Sequence, residues 1–160
     1  MNAALQLETP LGGMTLLSDG EGLLSARFDG GPMAPPSFPP DALCVQAAAQ
    51  LREYFNGQRT AFDLPLHPMG TAFQRQVWAA LLKIPWGETR SYGEIARAIG
   101  NEKAVRAVGQ AIHRNPLLIL IPCHRVLGAD GSLTGFAAGL ERKKALLALE
   151  RKQLGMRSEE

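Results

Sequence analysis

Apolar and polar positions alternate through the first 28 residues. Leu5 and Leu7 flank Gln6, and Glu8 follows, so Ala4–Glu8 predicts a strand. Thr9-Pro10-Leu11-Gly12-Gly13 turns the chain, and Met14–Ser18 predicts a second strand. Asp19-Gly20-Glu21-Gly22 turns it again before a third strand, Leu23–Phe28. Residues 29–40 break the pattern with five of the chain's 11 prolines and read as a loop. The period then changes. Leu43, Ala47, Leu51 and Tyr54 recur at helical spacing behind Asp41, an N-cap residue, and Asn56-Gly57 closes that helix. Residues 59–64 predict a last short strand, and Pro65–Gly70 reads as a linker in which His67 is a turn residue.

A second unit begins at Thr71. Thr71 and Gln74 form a capping box, and Phe73, Val77, Trp78, Leu81 and Leu82 give the helix after it an apolar face. Ile84-Pro85-Trp86-Gly87 ends it. Ser91 and Glu94 form a second capping box, and Gly100-Asn101 separates that short helix from another, Glu102–His113. Two helices joined by a tight Gly turn make a helix-turn-helix arrangement. Leu117–Ile121 is wholly apolar between Pro116 and Pro122 and reads as a buried strand or extended segment. Gly128–Ser132 is a turn, Leu133–Gly139 a small-residue loop, and Leu140–Glu150 a helix with a charged tail behind it. The fold class is α+β: a small antiparallel sheet with a helix over residues 1–66, a mostly helical domain over 70–152, and a tail over 153–160.

Composition narrows the function classes. The length of 160 residues suits one core or two small domains. A net charge of +2 excludes a strong global field, so any nucleic-acid contact depends on where individual Lys and Arg residues sit. Only Cys44 and Cys123 are present, which fits a reducing compartment and no disulfide framework. Cys44 lies on an expected helix and reads as a packing residue. His67, His113 and His124 are scattered without zinc-site spacing, so no metal is expected. The N-terminus has no signal-peptide pattern, and no run approaches a membrane span. A cytoplasmic monomer without membrane contact is the expectation.

Candidate chemistry centres on Ile121-Pro122-Cys123-His124-Arg125-Val126. Thiols attack as thiolates, and a neighbouring imidazole or guanidinium favours that form. A carboxylate on the far side of the imidazole would fix its tautomer. Glu141 and Glu150 are the local choices, with Glu150 better placed if its helix packs back on the cysteine. Adjacent residues on a strand point opposite ways, so Cys123 and His124 are expected to communicate through a bridging water. The helix before the cysteine carries Ala104, Ala107, Gly109 and Ala111 around Arg106. Small residues either pack against a neighbouring helix or allow close approach to a DNA minor groove. Asn115-Pro116 ends this helix, and Asn115 is placed to set the geometry between it and the cysteine.

These motifs carry a resemblance. FQRQVW, IPWGETRSYGEIA, RAVGQA, NP, IPCHRV, DGSLTGF and GLERKKALL, spread over residues 72–150, are similar in order and spacing to the O6-alkylguanine-DNA alkyltransferases, or methylated-DNA–protein-cysteine methyltransferases. The resemblance implies repair of double-stranded DNA carrying O6-alkylguanine, with O4-alkylthymine as a second lesion. Cys123 would take the alkyl group irreversibly, with no dissociable cofactor. It implies that His124 accepts the thiol proton through water, that Glu150 orients His124, and that Asn115 ties the recognition helix to the active-site turn. Tyr92 would face the flipped nucleotide and donate to guanine N3. Arg106 would fill the stack the base leaves, with Ala104, Ala107, Gly109 and Arg125 completing the DNA-binding set. The backbone carbonyls of Cys123 and Val126 would accept from the guanine amine. Ile112, Val126, Phe136, Ala137 and Ala138 would line the alkyl pocket.

Two positions depart from many relatives: Phe136 stands where tyrosine is common, and Ala137 where some have serine. The zinc ligands of some relatives' N-terminal domains are missing. Three other readings compete. An alkyltransferase-like lesion-binding protein would lack the cysteine. A Cys-His-Glu hydrolase would need an oxyanion hole and turnover. A helix-turn-helix regulator would need an effector or dimerisation domain.

Overall fold

The computed structural model describes residues 2–29, 39–133, 136 and 139–158, with side chains through Arg151. It divides into two units. The first comprises Met1–Met69 together with Pro116–Leu120, and the second Gly70–Asn115 with Ile121–Glu160. The apolar segment leading to the cysteine therefore belongs to the first unit, not wholly to the second as the sequence suggests.

In the first unit, β1 (Ala3–Thr9), β2 (Gly12–Ser18) and β3 (Leu23–Phe28) form an antiparallel sheet in that order. Leu7 pairs with Met14, and Leu16 with Ala26, so all four line up as buried residues. The strands exist because alternation puts these residues on one face. α1 (Ala42–Phe55) packs against β1 and β2. Asp41 caps it, accepting from the Cys44 amide at 2.9 Å and from the Ser18 hydroxyl at 2.8 Å. Cys44 is fully buried in α1, and burial pushes its thiol up to about 11, as fits a packing residue.

The expected strand over 59–64 is absent. Leu66 instead makes an isolated parallel bridge to Leu23. His67 Nδ1 lies 3.1 Å from Asp19 Oδ2, and its ring covers Gly22. A Cβ on Gly22 would sit 2.5 Å from that ring, so only glycine fits.

Leu117–Ile121 also departs from the expected strand. Leu117 bridges to Ala26, and the backbone amides of Ala26 and Leu118 bond to Pro116 and Ala26 carbonyls. The chain then bends at Ile119, whose φ is 72° while the Leu120 amide reaches back to the Leu118 carbonyl at 2.8 Å. This is a γ-turn of the strained, positive-φ kind, on a β-branched residue. Burial of Ile119 and its neighbours on every side holds it there.

In the second unit, α2 (Ala72–Leu81) and α3 (Tyr92–Ala98) start at their expected capping boxes, each with both reciprocal hydrogen bonds formed. Val77, Trp78 and Leu81 are buried, whereas Leu82, expected on the same face, is 49% exposed. Trp78 Nε1 donates 2.8 Å to the Ala111 carbonyl in α4 (Val105–His113), fixing α2 against it. The expected helix 102–113 is split: Glu102–Ala104 is a 3₁₀ turn, and Ala104 caps α4. β4 (Arg90–Ser91) pairs in parallel with β5 (Val126–Leu127), a contact not evident from the sequence. α5 (Leu140–Ser158) runs past the expected end at Glu150 into the charged tail. Among the described residues, no helix is long and apolar enough to cross a membrane.

Candidate active site

The backbone around Cys123 is a chain of tight turns. Pro122 has φ −79° and ψ 63°, and the Cys123 amide bonds to the Ile121 carbonyl at 2.8 Å, an inverse γ-turn. Cys123–Arg125 then forms one 3₁₀ turn, closed by the Val126 amide on the Cys123 carbonyl. Cys123 thus sits at the head of a turn and not on a strand, so the strand alternation expected between it and His124 does not apply.

Asn115, 3% exposed at the end of α4, reaches this turn. Its Nδ2 donates to the Ile121 carbonyl at 3.0 Å, and its side chain also hydrogen-bonds to the thiol of Cys123. A donor to sulfur favours the thiolate. Burial works the other way and is larger, pushing the thiol up to about 11. The resting nucleophile is therefore a thiol that must lose a proton to react.

His124 is fully buried. Its Nε2 lies 2.7 Å from Glu150 Oε2, and an ionised carboxylate can only accept, so Nε2 carries the hydrogen. Nδ1 is then the basic nitrogen, and among the described residues it is buried without a hydrogen-bond partner. Desolvation pulls the imidazole below its usual range and outweighs the pull of Glu150 in the other direction, so His124 is neutral at physiological pH. Burial raises the Glu150 carboxyl, but hydrogen bonds and charge from His124 and Arg125 outweigh it and leave it at about 2. Of the two carboxylates suggested by the sequence, Glu150 makes the contact and Glu141 is exposed.

Arg125 corrects an expectation. It is 6% exposed and points inward, not toward DNA. Nε and Nη2 grip the two Glu150 oxygens at 2.9 and 3.0 Å, and Nη1 donates to the Ile84 carbonyl at 2.7 Å. Three of its five N–H groups are engaged in this way, and burial keeps the guanidinium away from the surface where a phosphate would lie. Charge alone reads as surface, and so the sequence misleads here.

The other site residues fall into two groups. Ile112, Val126 and Phe136 are buried, while Ala137 and Ala138 lie outside the described residues. Arg106 and Ala107 are exposed on α4, and Ala104 and Gly109 are part-exposed. Gly109 faces the ring of Tyr92, the first residue of α3, and a Cβ there would lie 3.7 Å from it. The sequence reading missed Lys143. It is fully buried on α5, and its charge acts on Cys123. The available signal was its position seven residues before Glu150 on an otherwise apolar stripe. Among the described residues, no group of His, Cys, Asp or Glu is placed to hold a metal ion.

Residues 72–152 match the family described as 6-O-methylguanine DNA methyltransferase, DNA binding domain, and residues 6–68 match its ribonuclease-like domain. A methylated-DNA–protein-cysteine methyltransferase of Methanosarcina acetivorans is 50% identical over 147 residues, which cover 89% of this chain and 94% of that protein. The Mycobacterium bovis protein of the same name is 48% identical over 148 residues, 91% of this chain and 90% of its own. Among solved structures, the Mycobacterium tuberculosis O6-methylguanine methyltransferase aligns with a TM-score of 0.86 at 46% identity, covering 96% of this chain and 94% of that one. Its complex with DNA aligns equally well over 94% of each. Matched along both of its units in sequence and in fold, this chain belongs to the 6-O-methylguanine DNA methyltransferase family.

Proposed function

We infer that this chain repairs DNA by direct reversal, moving the alkyl group of O6-alkylguanine, and of O4-alkylthymine, onto Cys123. The observation that carries the reading is the imidazole next in the chain to the thiol: it is fixed by Glu150 through Nε2, and its Nδ1 is buried and, among the described residues, without a hydrogen-bond partner. The thiol proton passes to Nδ1 directly or through one water. Sulfur attacks the alkyl carbon, the S–C bond forms, and the C–O6 bond breaks. The guanine anion takes a proton at N3 from Tyr92, and the proton that His124 received returns through solvent to the Tyr92 phenolate, leaving both side chains neutral. The thioether has no route back, so each molecule reacts once.

Cys123 is 3% exposed, so a base stacked in a duplex cannot meet it and must rotate out. α4 supports a minor-groove approach. Its exposed Arg106 takes the place of the extruded base, while Ala107 and Gly109 let the helix come close. The protein acts as a monomer on the duplex.

The test is intact-protein mass spectrometry after mixing with excess duplex carrying one O6-methylguanine. Wild type is expected to gain one methyl group, Cys123→Ala none, and the lesion is expected to disappear in equal amount. Lesion binding without mass gain would instead make this a recognition protein. Lesion loss beyond one equivalent would mean turnover and defeat the single-use mechanism.

A further inference from the structure

We propose that the cleft between the end of α2 and α3 is a binding site for a phosphate ester of nucleotide size, separate from the Cys123 site and independent of the repair reading. The cleft encloses about 390 Å³, within the range of small-ligand sites. Its floor is apolar. Ile84 and Ile95 are each 3% exposed, with Ala80 and Ala98 beside them. Its rim is cationic: Lys83, Arg90 and Arg97 stand against a single carboxylate, Glu94.

The carboxylate is already in use. Glu94 Oε1 accepts from the Ser91 amide at 2.9 Å in the capping box, and that bond holds its carboxyl low. Arg90 is held in orientation, with Nη1 donating to the Thr89 carbonyl at 2.9 Å and Nη2 to Glu88 Oε1 at 3.0 Å. Those two bonds leave most of its five N–H groups for a ligand. Arg97 meets Glu102 only at 3.7 Å, with both side chains mostly exposed, so that pair contributes little. Among the described residues, Lys83 has no ion pair. Three like charges around one cleft repel one another, and an anion between them relieves the repulsion. A phosphate monoester brings a charge of about −1.5 to −2 and three acceptor oxygens, which guanidinium groups grip in pairs. Bare phosphate would leave the floor in water. A phosphate carrying a flat ring covers Ile84 and Ile95 as well, and an arginine plane stacks on such a ring.

The cleft lies off the surface given above to DNA. Tyr92 at the start of α3 faces Gly109 of α4, whereas Arg97 and Ala98 stand about 140° and 120° around the helix from it, on either side. The cleft does share a wall with the cysteine turn. The Ile84 carbonyl receives Arg125 Nη1 at 2.7 Å, and Arg90 pairs with Val126 between β4 and β5.

The experiment follows backbone amide NMR spectra of the full chain during titration with adenosine monophosphate, inorganic phosphate and adenosine. Adenosine monophosphate is expected to shift the amides of Ile84, Arg90, Ile95 and Ala98 with one midpoint, and those of Arg125 and Val126 with the same midpoint. It should bind about tenfold more tightly than inorganic phosphate, and adenosine should leave these amides unmoved. The double variant Lys83→Ala/Arg97→Ala changes two exposed side chains and should keep the wild-type spectrum elsewhere while its midpoint rises about tenfold. The absence of saturation up to about 1 mM overturns the proposal. So does inorganic phosphate binding as tightly as the nucleotide, a midpoint unchanged in the double variant, or shifts centred on Arg106 in α4. Failure of the repair reading shows up differently, as no methyl transfer by wild type while the nucleotide titration is unaffected.

Discussion

Glu150 ties two buried groups together, His124 and Arg125, and its charge contributes to how the second unit answers to acid. Removing the carboxylate strands the Arg125 guanidinium, 6% exposed, without its anion. Glu150→Gln should therefore lower stability at pH 7 by about 3–5 kcal/mol, the usual cost of breaking a buried pair from one side. The folded carboxyl sits at about 2 against an ordinary 4.5, so it holds protons less tightly than the unfolded chain does. Its stabilisation is complete above pH 4.5 and disappears as pH falls toward 2, a loss of about 3 kcal/mol. His124 acts with the same sign at higher pH. Its folded imidazole resists protonation, so stability also declines as pH drops below 6.5. Urea midpoints measured from neutral to about pH 3 should show both steps in wild type and a smaller lower step in Glu150→Gln, because the carboxyls of Asp19, Asp41, Glu94 and Asp130 are also held low and keep part of it. A lower step of unchanged size would mean that Glu150 does not carry it. Single residues are also where the sequence was least informative. Cys123, His124 and Glu150 stand out by chemistry, but whether Arg125 and Lys143 face water or the interior depends on packing that no local pattern encodes.

The helices of the second unit are assembled from local signals, and those signals are legible. Both capping boxes lie within four residues, so Thr71 with Gln74 and Ser91 with Glu94 announce α2 and α3 without help from the rest of the chain. The three strands of the first unit follow from two-residue alternation in the same way. What stayed hidden is set by distant partners. β4 and β5 are two residues each and exist only because Arg90 meets Val126 and Ser91 meets Leu127. The run Leu117–Ile121 is buried on all sides, so it has no periodicity to show a turn at Ile119. α4 offers a test at this scale. Gly109 lies mid-helix, where glycine costs roughly 0.5–1 kcal/mol relative to alanine. A Cβ there meets Tyr92 at an ordinary 3.7 Å. Gly109→Ala should accordingly raise the unfolding free energy by up to about 1 kcal/mol and leave methyl transfer intact. Gly109→Leu should instead weaken DNA binding, because its larger side chain must displace Tyr92 or stand out from the surface that approaches the groove. Equal DNA affinity in Gly109→Leu would remove Gly109 from the interface.

For the molecule as a whole, charge decides how DNA is held. The 17 basic and 15 acidic residues leave only +2, too little for long-range steering. Affinity must then come from a few cations on one face. Around α4 the exposed full cations are Lys103, Arg106 and Arg114, with the exposed carboxylate of Glu102 beside Lys103. Three phosphate contacts predict a slope of log K against log salt of about −3, at 0.9 per contact. Arg106→Ala should make that slope shallower by about one, or by less if Arg106 spends its charge inside the base stack and not on a phosphate. The two outcomes separate a finger from a clamp. A finger lowers discrimination between lesion and plain duplex while the salt slope barely moves. A clamp lowers affinity for both alike and flattens the slope. Fluorescence anisotropy with matched lesion and control duplexes, across a salt series, reads both quantities at once. Under the proposed transfer to Cys123, which is buried, a base would have to leave the helix, and that reading favours the finger. A wild-type slope of about −6 or steeper would show that the footprint extends well beyond α4, and the charge argument would have to be rebuilt on other residues.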